Sequence, residues 1–443
     1  MIALSKIHVL ALTFIVTMAS AQQRMLTVEE SISIGMENSK ALHSSLMKTR
    51  FSDAKSSEIA AGFYPSVKFQ AGYQKLSDIP SFTIPIPGAP VSFPVILNNY
   101  SVKASIQQPL FTGWKLQSAA DNAEYNAKAA QSDFTKDKAE LVYSIKSAYW
   151  NVYRAKELKQ LSDENVNQIA HHLADIENLF KQGMATTNAV LKVKVQLSNA
   201  KLLQSDATNS VEIAMIAFNS TVGISLETEI VIASSLTSTT KDVPQVQQLL
   251  VKAMTDRPDM QAMDWRLHAS QAGVTAAQSG WLPQVYLSGN YYYSRPNQRI
   301  FPAQDQFKDT WDVGINLQFD VWNNLTTMYQ TAQAQSQYEQ TKDAYAMLKD
   351  GVTLEVTQNY LNRKQARQKI QLAQLGVEQS DENLRVAQQT FKAGLTTNSE
   401  LLDAEVGQLQ SKIQLLQALV EYELAQAKLE KSVGVVGELG IMN

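Results

Sequence analysis

Four stretches of the chain alternate apolar and polar residues with a period of two. The clearest covers residues 311–321, and the others cover residues 67–74, 102–107 and 285–291. Such a period predicts β-strands with one apolar and one polar face, the pattern of transmembrane barrel strands. Aromatic residues lie near the predicted strand ends, where membrane proteins carry interfacial aromatic belts. An amphipathic sheet on a soluble core has the same period and is the alternative at this point.

The polar faces of these strands are candidates for the lining of a barrel lumen. Their members are Lys68, Gln70, Lys103, Gln107, Asn316 and Gln318. Four strands cannot close a barrel, because a single chain needs about eight, and open strand edges are not viable in lipid. If the strands lie in a membrane, several copies must therefore share one barrel. The pattern does not give the copy number.

Each strand pair is followed by a helical pattern of unusual length. Apolar residues recur at alternating spacings of three and four at Val166, Ile169, Leu173, Ile176 and Phe180. That is the 3.5-residue period of a coiled-coil seam. The second half repeats it at Val377, Leu384, Ala387 and Phe391, with Ser380 in a seam position. The pattern predicts helices over residues 115–182 and 326–393, each spanning roughly 100 Å, with returning helices over 188–220 and 398–432.

A short break separates each long helix from its returning helix. Gly183 and Gly394 tolerate a left-handed backbone and so can end a helix. Thr186 and Thr397 belong to clusters of Thr, Asn and Ser that cap the helix that follows. Both breaks therefore predict the tips of helical hairpins.

A shorter helix precedes each strand pair. Thr27 and Glu30 form a capping box, which predicts a helix that runs to about Gly62. We expect its counterpart to begin near residues 242–244, with Pro244 in an early helical position. Pro258 should kink or restart this second helix.

The two halves of the chain repeat one pattern. Gly394 lies 211 residues after Gly183, and the same offset relates residues 104–223 to residues 315–434 without a gap. Self-similarity at a fixed offset indicates an internal repeat. We therefore divide the chain into a first repeat over residues 22–233, in which residues 229–232 are a candidate short strand, a polar linker over 234–242 and a second repeat over 243–443.

The N-terminal 21 residues have the form of a signal peptide, with Lys6, an apolar core over 7–18 and small residues at 19–21. No later stretch reaches 18 apolar residues, so we expect no membrane-spanning helix. The exported chain should then be soluble or a β-type membrane protein. The net charge of −3 argues against a nucleic-acid partner. The chain has no cysteine, which excludes disulfides, thiolate catalysis and cysteine metal ligands.

The sequence has few features that would indicate an enzyme. It lacks the motifs of phosphate-binding loops, dinucleotide-binding folds, serine hydrolases and zinc proteases. His171 and His172 are adjacent on a predicted helix and so point about 100° apart, a poor arrangement for a shared metal ion. We therefore expect no enzymatic activity, no cofactor and no metal site.

One acidic group, Glu400, Asp403 and Glu405, follows the second tip. Glu400 and Asp403 are three residues apart and share one face of a helix start, where the helix dipole favours negative charge. That role alone would explain them. In a symmetric assembly the same two carboxylates would instead form acidic rings at a constriction, a cation-favouring gate.

In these features the sequence resembles the TolC-like outer membrane efflux proteins. The resemblance is carried by Leu26-Thr27-Val28-Glu29-Glu30, Phe63-Tyr64-Pro65, Gln108-Pro109-Leu110-Phe111, Arg257-Pro258-Asp259, Trp281-Leu282-Pro283 and the two tip motifs. It implies a mainly helical fold with a small β part, in which a homotrimer shares a twelve-stranded transmembrane barrel. The long coiled-coil hairpins then form a periplasmic α-helical tunnel. Glu400 and Asp403 match acidic residues at the family's periplasmic aperture, whereas Thr396 stands where its best-known members have a basic residue.

The resemblance also implies a location and partners. The protein would lie in the outer membrane of a Gram-negative bacterium, in contact with its lipid. A periplasmic adaptor would dock at the tips, at Gly183, Thr186, Gly394 and Thr397, and an inner-membrane pump of RND or ABC type would supply the energy. The hypothesis is a passive exit duct for efflux or type I secretion, gated at the tips. A soluble periplasmic coiled-coil scaffold and a non-specific porin are the alternatives, and drugs, metal ions and polypeptides all remain possible cargo.

Overall fold

The computed structural model describes residues 24–81, 83–92, 95–234, 236, 244–322 and 324–435. The predicted signal peptide and most of the predicted linker lie outside the described residues, so both stay predictions. The fold is mainly helical, with a small sheet part. No helix in the described ranges combines the length and apolar character needed to cross a membrane.

The predicted helices and strands occur in the predicted order, together with three short strands that no pattern predicted. Those of the first half are β1 (Arg24–Leu26), α1 (Val28–Asn38), α2 (Lys40–Ala60), β2 (Ser66–Lys75), β3 (Thr83–Ile84), β4 (Val91–Ser92), β5 (Asn98–Phe111), α3 (Lys115–Lys181), α4 (Thr187–Val222) and β6 (Ile230–Ile232). Those of the second half are α5 (Val246–Asp256), α6 (Pro258–Gln278), β7 (Gln284–Arg295), β8 (Lys308–Gln318), α7 (Asn324–Lys392) and α8 (Asn398–Ser432). In each half, two shorter helices and a strand pair precede one long hairpin.

Four of the strands form an antiparallel sheet in the order β2-β5-β7-β8. Gln70 pairs with Lys103, Lys103 with Tyr292, and Tyr292 with Thr310, so one polar row crosses all four strands. Because side chains alternate between faces, the rows on either side of it belong to the opposite face and are apolar except for Asp309 on β8. The outer strands β2 and β8 each have only one pairing strand among the described residues.

The two hairpins turn at the predicted glycines. Gly183 (φ 77°) and Gly394 (φ 74°) are both left-handed, which suits glycine because other residues are strained there. The Thr186 hydroxyl accepts a hydrogen bond from the Ala189 N–H at 3.2 Å. Thr397 and Glu400 form a complete capping box at the start of α8. The local signals at both tips therefore act as predicted.

A polar hub joins the second set of helices where α6 begins. Arg257 donates to both carboxylate oxygens of Asp259 at 2.9 and 2.7 Å, to Glu355 of α7 at 2.7 Å and to the Ser432 carbonyl at the end of α8 at 2.9 Å. Burial opposes ionisation of Asp259, but the hydrogen bonds and charge of Arg257 outweigh it and hold the pKa of Asp259 below its usual value. The predicted restart at Pro258 is confirmed, because Pro258 is the first residue of α6.

Several predicted boundaries are wrong. The first helix breaks at Ser39, whose side chain caps α2 by accepting from the Leu42 N–H at 3.1 Å. Pro244 precedes α5, which begins at Val246. The fourth strand ends at Gln318, so Phe319 and Val321 lie outside it. In the seam, Ile169 and Ile176 are buried, but Phe180 is exposed in the protomer.

Only one strand of a short parallel pair was predicted. The sequence suggested a strand at residues 229–232, but not β1, which pairs with it in parallel. Tyr149, fully buried, anchors this pair by donating to the Leu26 carbonyl at 2.9 Å and accepting from the Ser234 N–H at 3.2 Å. Its ring lies in the largest apolar core, together with Phe218, Ile145 and Val152.

Candidate functional site

The structure brings the two hairpin tips together around a cleft of about 1220 Å³. Residues of α3, α4, α7 and α8 line it, so both repeats contribute. Thr186, Gly394 and Thr397 lie at its edge, with Gly183 in the first tip turn beside it. Met184 and Leu395 are 73% and 80% exposed at the two turns. The end of the molecule therefore presents two apolar side chains on polar, capped turns.

Glu400, the first predicted gate residue, is engaged in capping its own helix. Its carboxylate accepts from the Thr397 N–H at 3.2 Å and from the Thr396 hydroxyl, and its N–H donates to the Thr397 hydroxyl at 3.3 Å. Thr396 thus adds a second hydrogen bond to this acid from the tip turn. The carboxylate still lies on the exposed side of the tip.

Asp403, the second predicted gate residue, is exposed. It has no hydrogen bond or salt bridge to another residue in the described part of the chain. It follows Glu400 by one helical turn, so the two carboxylates lie on one face of α8. Among the described residues, the Asp403 carboxylate therefore has no structural partner and faces solvent.

Glu405, the third acidic residue, has a different position. It is 3% exposed, and its Oε2 lies 2.9 Å from Nδ1 of His172, which is 5% exposed. The other ring nitrogen, Nε2, lies 2.9 Å from Oδ1 of Asn398. This buried polar trio joins α3 of the first hairpin to α8 of the second, beside the cleft.

The trio has two possible proton arrangements. Both ring nitrogens of His172 face oxygen atoms, so two hydrogen bonds require the doubly protonated ring. The amide nitrogen of Asn398 is buried without a partner. Turning that amide by 180° gives Nε2 a donor and lets the neutral ring donate to Glu405. Either arrangement satisfies the ring.

Further contacts hold the two tips together. Lys192 of α4 donates to the Ser399 hydroxyl at 3.0 Å. Phe391 of α7 approaches His172 edge-on, with ring centroids 5.8 Å apart, and packs with Leu402 against the α3/α4 core. The contact between the hairpins therefore has an apolar part and a buried polar part.

The six predicted lumen residues all lie on one face of the sheet. Lys68, Gln70, Lys103 and Gln107 belong to one set of paired rows, and Asn316 and Gln318 continue it on β8. Hydrogen bonds join this face across strands, from Asn290 to Asp312 at 2.7 Å and from Asn316 to the Ser288 hydroxyl at 2.8 Å. The opposite face carries exposed apolar residues: Val67, Phe69, Ile106, Leu287, Tyr291, Trp311, Val313, Ile315 and Leu317.

The contact between His172 and Glu405 was not predicted, because the adjacent His171 suggested only the question of a shared metal ion. A usable signal was present: His172 lies three residues after Ile169 and four before Ile176, a position that faces the seam. In the described ranges, no group of three or more His, Cys, Asp or Glu side chains has the geometry of a metal site.

Comparisons with known proteins agree with this architecture. The family model described as outer membrane efflux protein matches residues 32–223 and 249–435. The outer membrane protein TolC of Vibrio cholerae serotype O1 is 20% identical over 328 residues, covering 73% of this chain and 74% of that protein. The toxin and drug export protein A of Aggregatibacter actinomycetemcomitans is 22% identical, covering 71% and 68%. The crystal structure of the outer membrane protein VceC from Vibrio cholerae superposes with a TM-score of 0.77 at 16% identity, covering 92% and 96% of the two chains.

Proposed function

Because the chain belongs to the outer membrane efflux protein family, we propose that it is the exit duct of a tripartite efflux or type I secretion system. Three copies each contribute a four-stranded sheet to one twelve-stranded barrel in the outer membrane. The helical hairpins of the three copies continue the barrel as a tunnel through the periplasm. The duct is passive, uses no cofactor and catalyses no reaction.

The observation that carries this proposal is the two-faced sheet, whose outer strands pair on one side only in the described part of the chain. Its apolar face carries exposed aromatic and branched side chains, which suits contact with lipid. Its polar face suits a water-filled lumen. Among the described residues, the outer edges of β2 and β8 leave backbone hydrogen-bonding groups without partners, and lipid offers none. Pairing β2 of one copy with β8 of the next removes both edges.

The lengths of the hairpins favour a duct over a simple porin. Helices α3 and α7 contain 67 and 69 residues, so each extends roughly 100 Å, about three times the hydrocarbon thickness of a bilayer. A diffusion porin requires only its strands. Helices of this length instead reach from the membrane far into the periplasm, where the tips meet other components.

The tips act as gate and docking surface. Asp403 and Glu400, repeated in three copies, form acidic rings at the closed end of the tunnel. The exposed turns at Gly183, Thr186, Gly394 and Thr397 receive the helical hairpins of a periplasmic adaptor, which pack into grooves between the tip helices. An inner-membrane pump of RND or ABC type supplies the energy.

Detergent extraction of outer membranes, followed by chemical cross-linking and a gel of heated and unheated samples, tests the proposal. We expect a band at three times the protomer mass that is recovered only with detergent and converts to the monomer on heating. A monomer in the soluble periplasmic fraction would contradict the proposal and favour the coiled-coil scaffold. A membrane-bound species of another copy number would contradict the trimer alone.

A further inference from the structure

The loop between β7 and β8 folds back onto the polar face of the sheet. Asn297, at its start, is 4% exposed. Its amide nitrogen donates to the Lys308 carbonyl at 3.0 Å and to the Thr310 hydroxyl at 3.3 Å, while its amide oxygen accepts from the Arg299 N–H at 3.0 Å. These hydrogen bonds fix the first turn of the loop against the beginning of β8.

This turn places Arg299 over the polar face. Its guanidinium donates to Asp312 of β8 at 2.6 Å and lies 4.1 Å from the ring centroid of Tyr292 on β7. Lys103 of the neighbouring strand β5 lies 5.3 Å from the same ring. Both distances are within the range of cation–π attraction. Two cations from different elements thus converge on one aromatic ring.

The guanidinium keeps donors for a further partner. Asp312 is its only hydrogen-bond acceptor among the described residues, and that carboxylate also accepts from Asn290 at 2.7 Å. A guanidinium has five N–H donors, and the Arg299 side chain is 45% exposed. The remaining donors face the space above the polar surface.

Charge on this face is strongly one-sided. The polar rows carry Lys68, Lys103, Lys308 and Asp312, and the loop adds Arg299 above them. The loop's other charged residue, Asp305, pairs instead with Arg295 of the apolar face. On this face the balance is +3 per protomer, the four cations less the carboxylate of Asp312. Arg299 lies at the loop end of the sheet, and the long helices attach at the opposite end. The polar face therefore carries more cations than anions among the described residues, whereas the helical tips carry the exposed acids Glu400 and Asp403.

We propose that Arg299, with Lys103 and Tyr292, forms a charge filter at the outer mouth of the duct and favours anionic solutes there. The inference rests on the proposed function, because the polar face lines a lumen only in the shared barrel. In a symmetric assembly each copy places one guanidinium at the same height, so their fields add. Guanidinium groups bind carboxylates and phosphates in a bidentate geometry, which defines the favoured class of solute.

Reversal potentials in a KCl gradient, measured with the purified protein in planar bilayers, test the filter. We expect Arg299→Gln to shift the permeability ratio toward K⁺, and Arg299→Glu to shift it further, by roughly twofold or more. Arg295→Gln is the matched control. Arg295 lies at the same end of β7 but on the apolar face, where it pairs with Asp305 at 2.8 Å and approaches Tyr100. We expect its substitution to leave the reversal potential unchanged.

Because the chain has no cysteine, Arg299→Cys supplies a unique thiol for a second measurement. A bulky thiol reagent added on the outer side should lower the conductance of this variant and leave that of Arg295→Cys unchanged. An unchanged reversal potential in both Arg299 variants would overturn the filter, even where the thiol reagent blocks the channel. If the wild-type protein forms no channels at all, the proposed function fails and the filter with it.

Discussion

Glu400 has two roles that a pair of substitutions can separate. Glutamine also serves in a capping box, so Glu400→Gln keeps the helix start and removes the charge, whereas Glu400→Ala removes both. We expect only Glu400→Ala to loosen the first turn of α8, by about 1 kcal/mol, since that is the usual value of a cap. Hydrogen exchange of the amides of residues 398–402 measures this difference.

Neutralising the carboxylates of Glu400 and Asp403 together tests whether they form a gate. Glu400→Gln combined with Asp403→Asn removes both charges while the capping box stays in place. We expect the double variant to lose block of the channel by a trivalent cation, because the rings that would bind the cation are neutral. Block with wild-type affinity in a planar bilayer would mean that these acids only support the helix start.

His172 tests the contact between the hairpins. His172→Ala leaves the buried carboxylate of Glu405 without this partner, at a cost of about 1–3 kcal/mol. The tips should then separate more readily, which raises leak conductance and speeds proteolysis of the tip turns. His171→Ala is the matched control, because His171 is exposed and adjacent. Equal leak in both variants would contradict a role for His172 in holding the tips.

The difference between Glu400 and His172 shows how far single residues could be predicted from the sequence. Glu400 and its capping partner Thr397 are three residues apart, the spacing of a capping box, so local spacing is sufficient to predict their contact even though only the cap at Thr397 was expected. His172 and Glu405 are 233 residues apart. Helical periodicity can place His172 toward the seam, but it cannot indicate which distant acid meets it there. Buried polar pairs between repeats depend on packing of the whole chain.

At the scale of elements, prediction succeeded where strong local signals were present. Helix α3 was expected over residues 115–182 and runs from Lys115 to Lys181, because a left-handed glycine and a threonine cap determine the turn that follows. Strand β1 has three residues, too few to show a period of two, so only its tertiary partner β6 reveals it. The break at Ser39 carried a capping signal that the surrounding helical pattern concealed.

Substitution by alanine should have opposite effects on stability at two glycines, Gly394 and Gly376. An added Cβ would contact nothing within 4 Å at either Gly394 or Gly376, so only backbone preference differs. Gly394→Ala forces alanine into a left-handed conformation and should destabilise the tip by about 1–2 kcal/mol. Gly376→Ala, inside α7, should stabilise its helix by roughly 0.5–1 kcal/mol. Hydrogen exchange of the amides near each glycine shows whether the local stability rises or falls. Changes in the same direction at both positions would contradict the assigned backbone conformations.

Because of Glu423 on α8, we expect the stability of the folded state to depend on pH. Burial raises its pKa, and the charge of Glu430 raises it further, against the opposing effects of Lys146 and Arg363. The folded state therefore binds this proton more tightly than the unfolded state, and stability falls as pH rises from the unfolded to the folded pKa. Glu423→Gln should be more resistant to heat than the wild type at pH 8, with the advantage shrinking toward pH 4. A constant difference in melting temperature across that range would contradict the assignment.

At the scale of the whole molecule, the alternating pattern was sufficient to assign both faces of the sheet. All six residues predicted for the lumen share the polar face, because a period of two fixes the face of every residue in a strand. The strand order β2-β5-β7-β8 was beyond the sequence, since it depends on how the two halves pack. Closure into a barrel is a property of several copies, and no pattern within one chain specifies their number.

The alternation of polar and apolar residues along β2 and β8 predicts which positions of neighbouring copies can meet. If β2 of one copy pairs with β8 of the next, polar residues must meet polar residues, because a shift by one residue would turn one apolar face toward the lumen. In the cysteine-free chain, Gln70→Cys should therefore cross-link to a second cysteine at Thr310, Asp312 or Asn316, whichever the register selects. It should not cross-link to a cysteine at Val313, Ile315 or Leu317.

A short-span thiol cross-linker followed by a denaturing gel shows which pairs of positions are in contact between copies. Products between copies appear at two and three times the protomer mass. The control is Gln107→Cys with Ser288→Cys, which pair within one protomer and should react without a change in mass. Cross-links to the odd-numbered positions would mean that the polar face does not line a common lumen. Products restricted to one even-numbered position would fix the register between copies, and with it the tilt of the strands, because stagger and tilt are linked in any closed barrel.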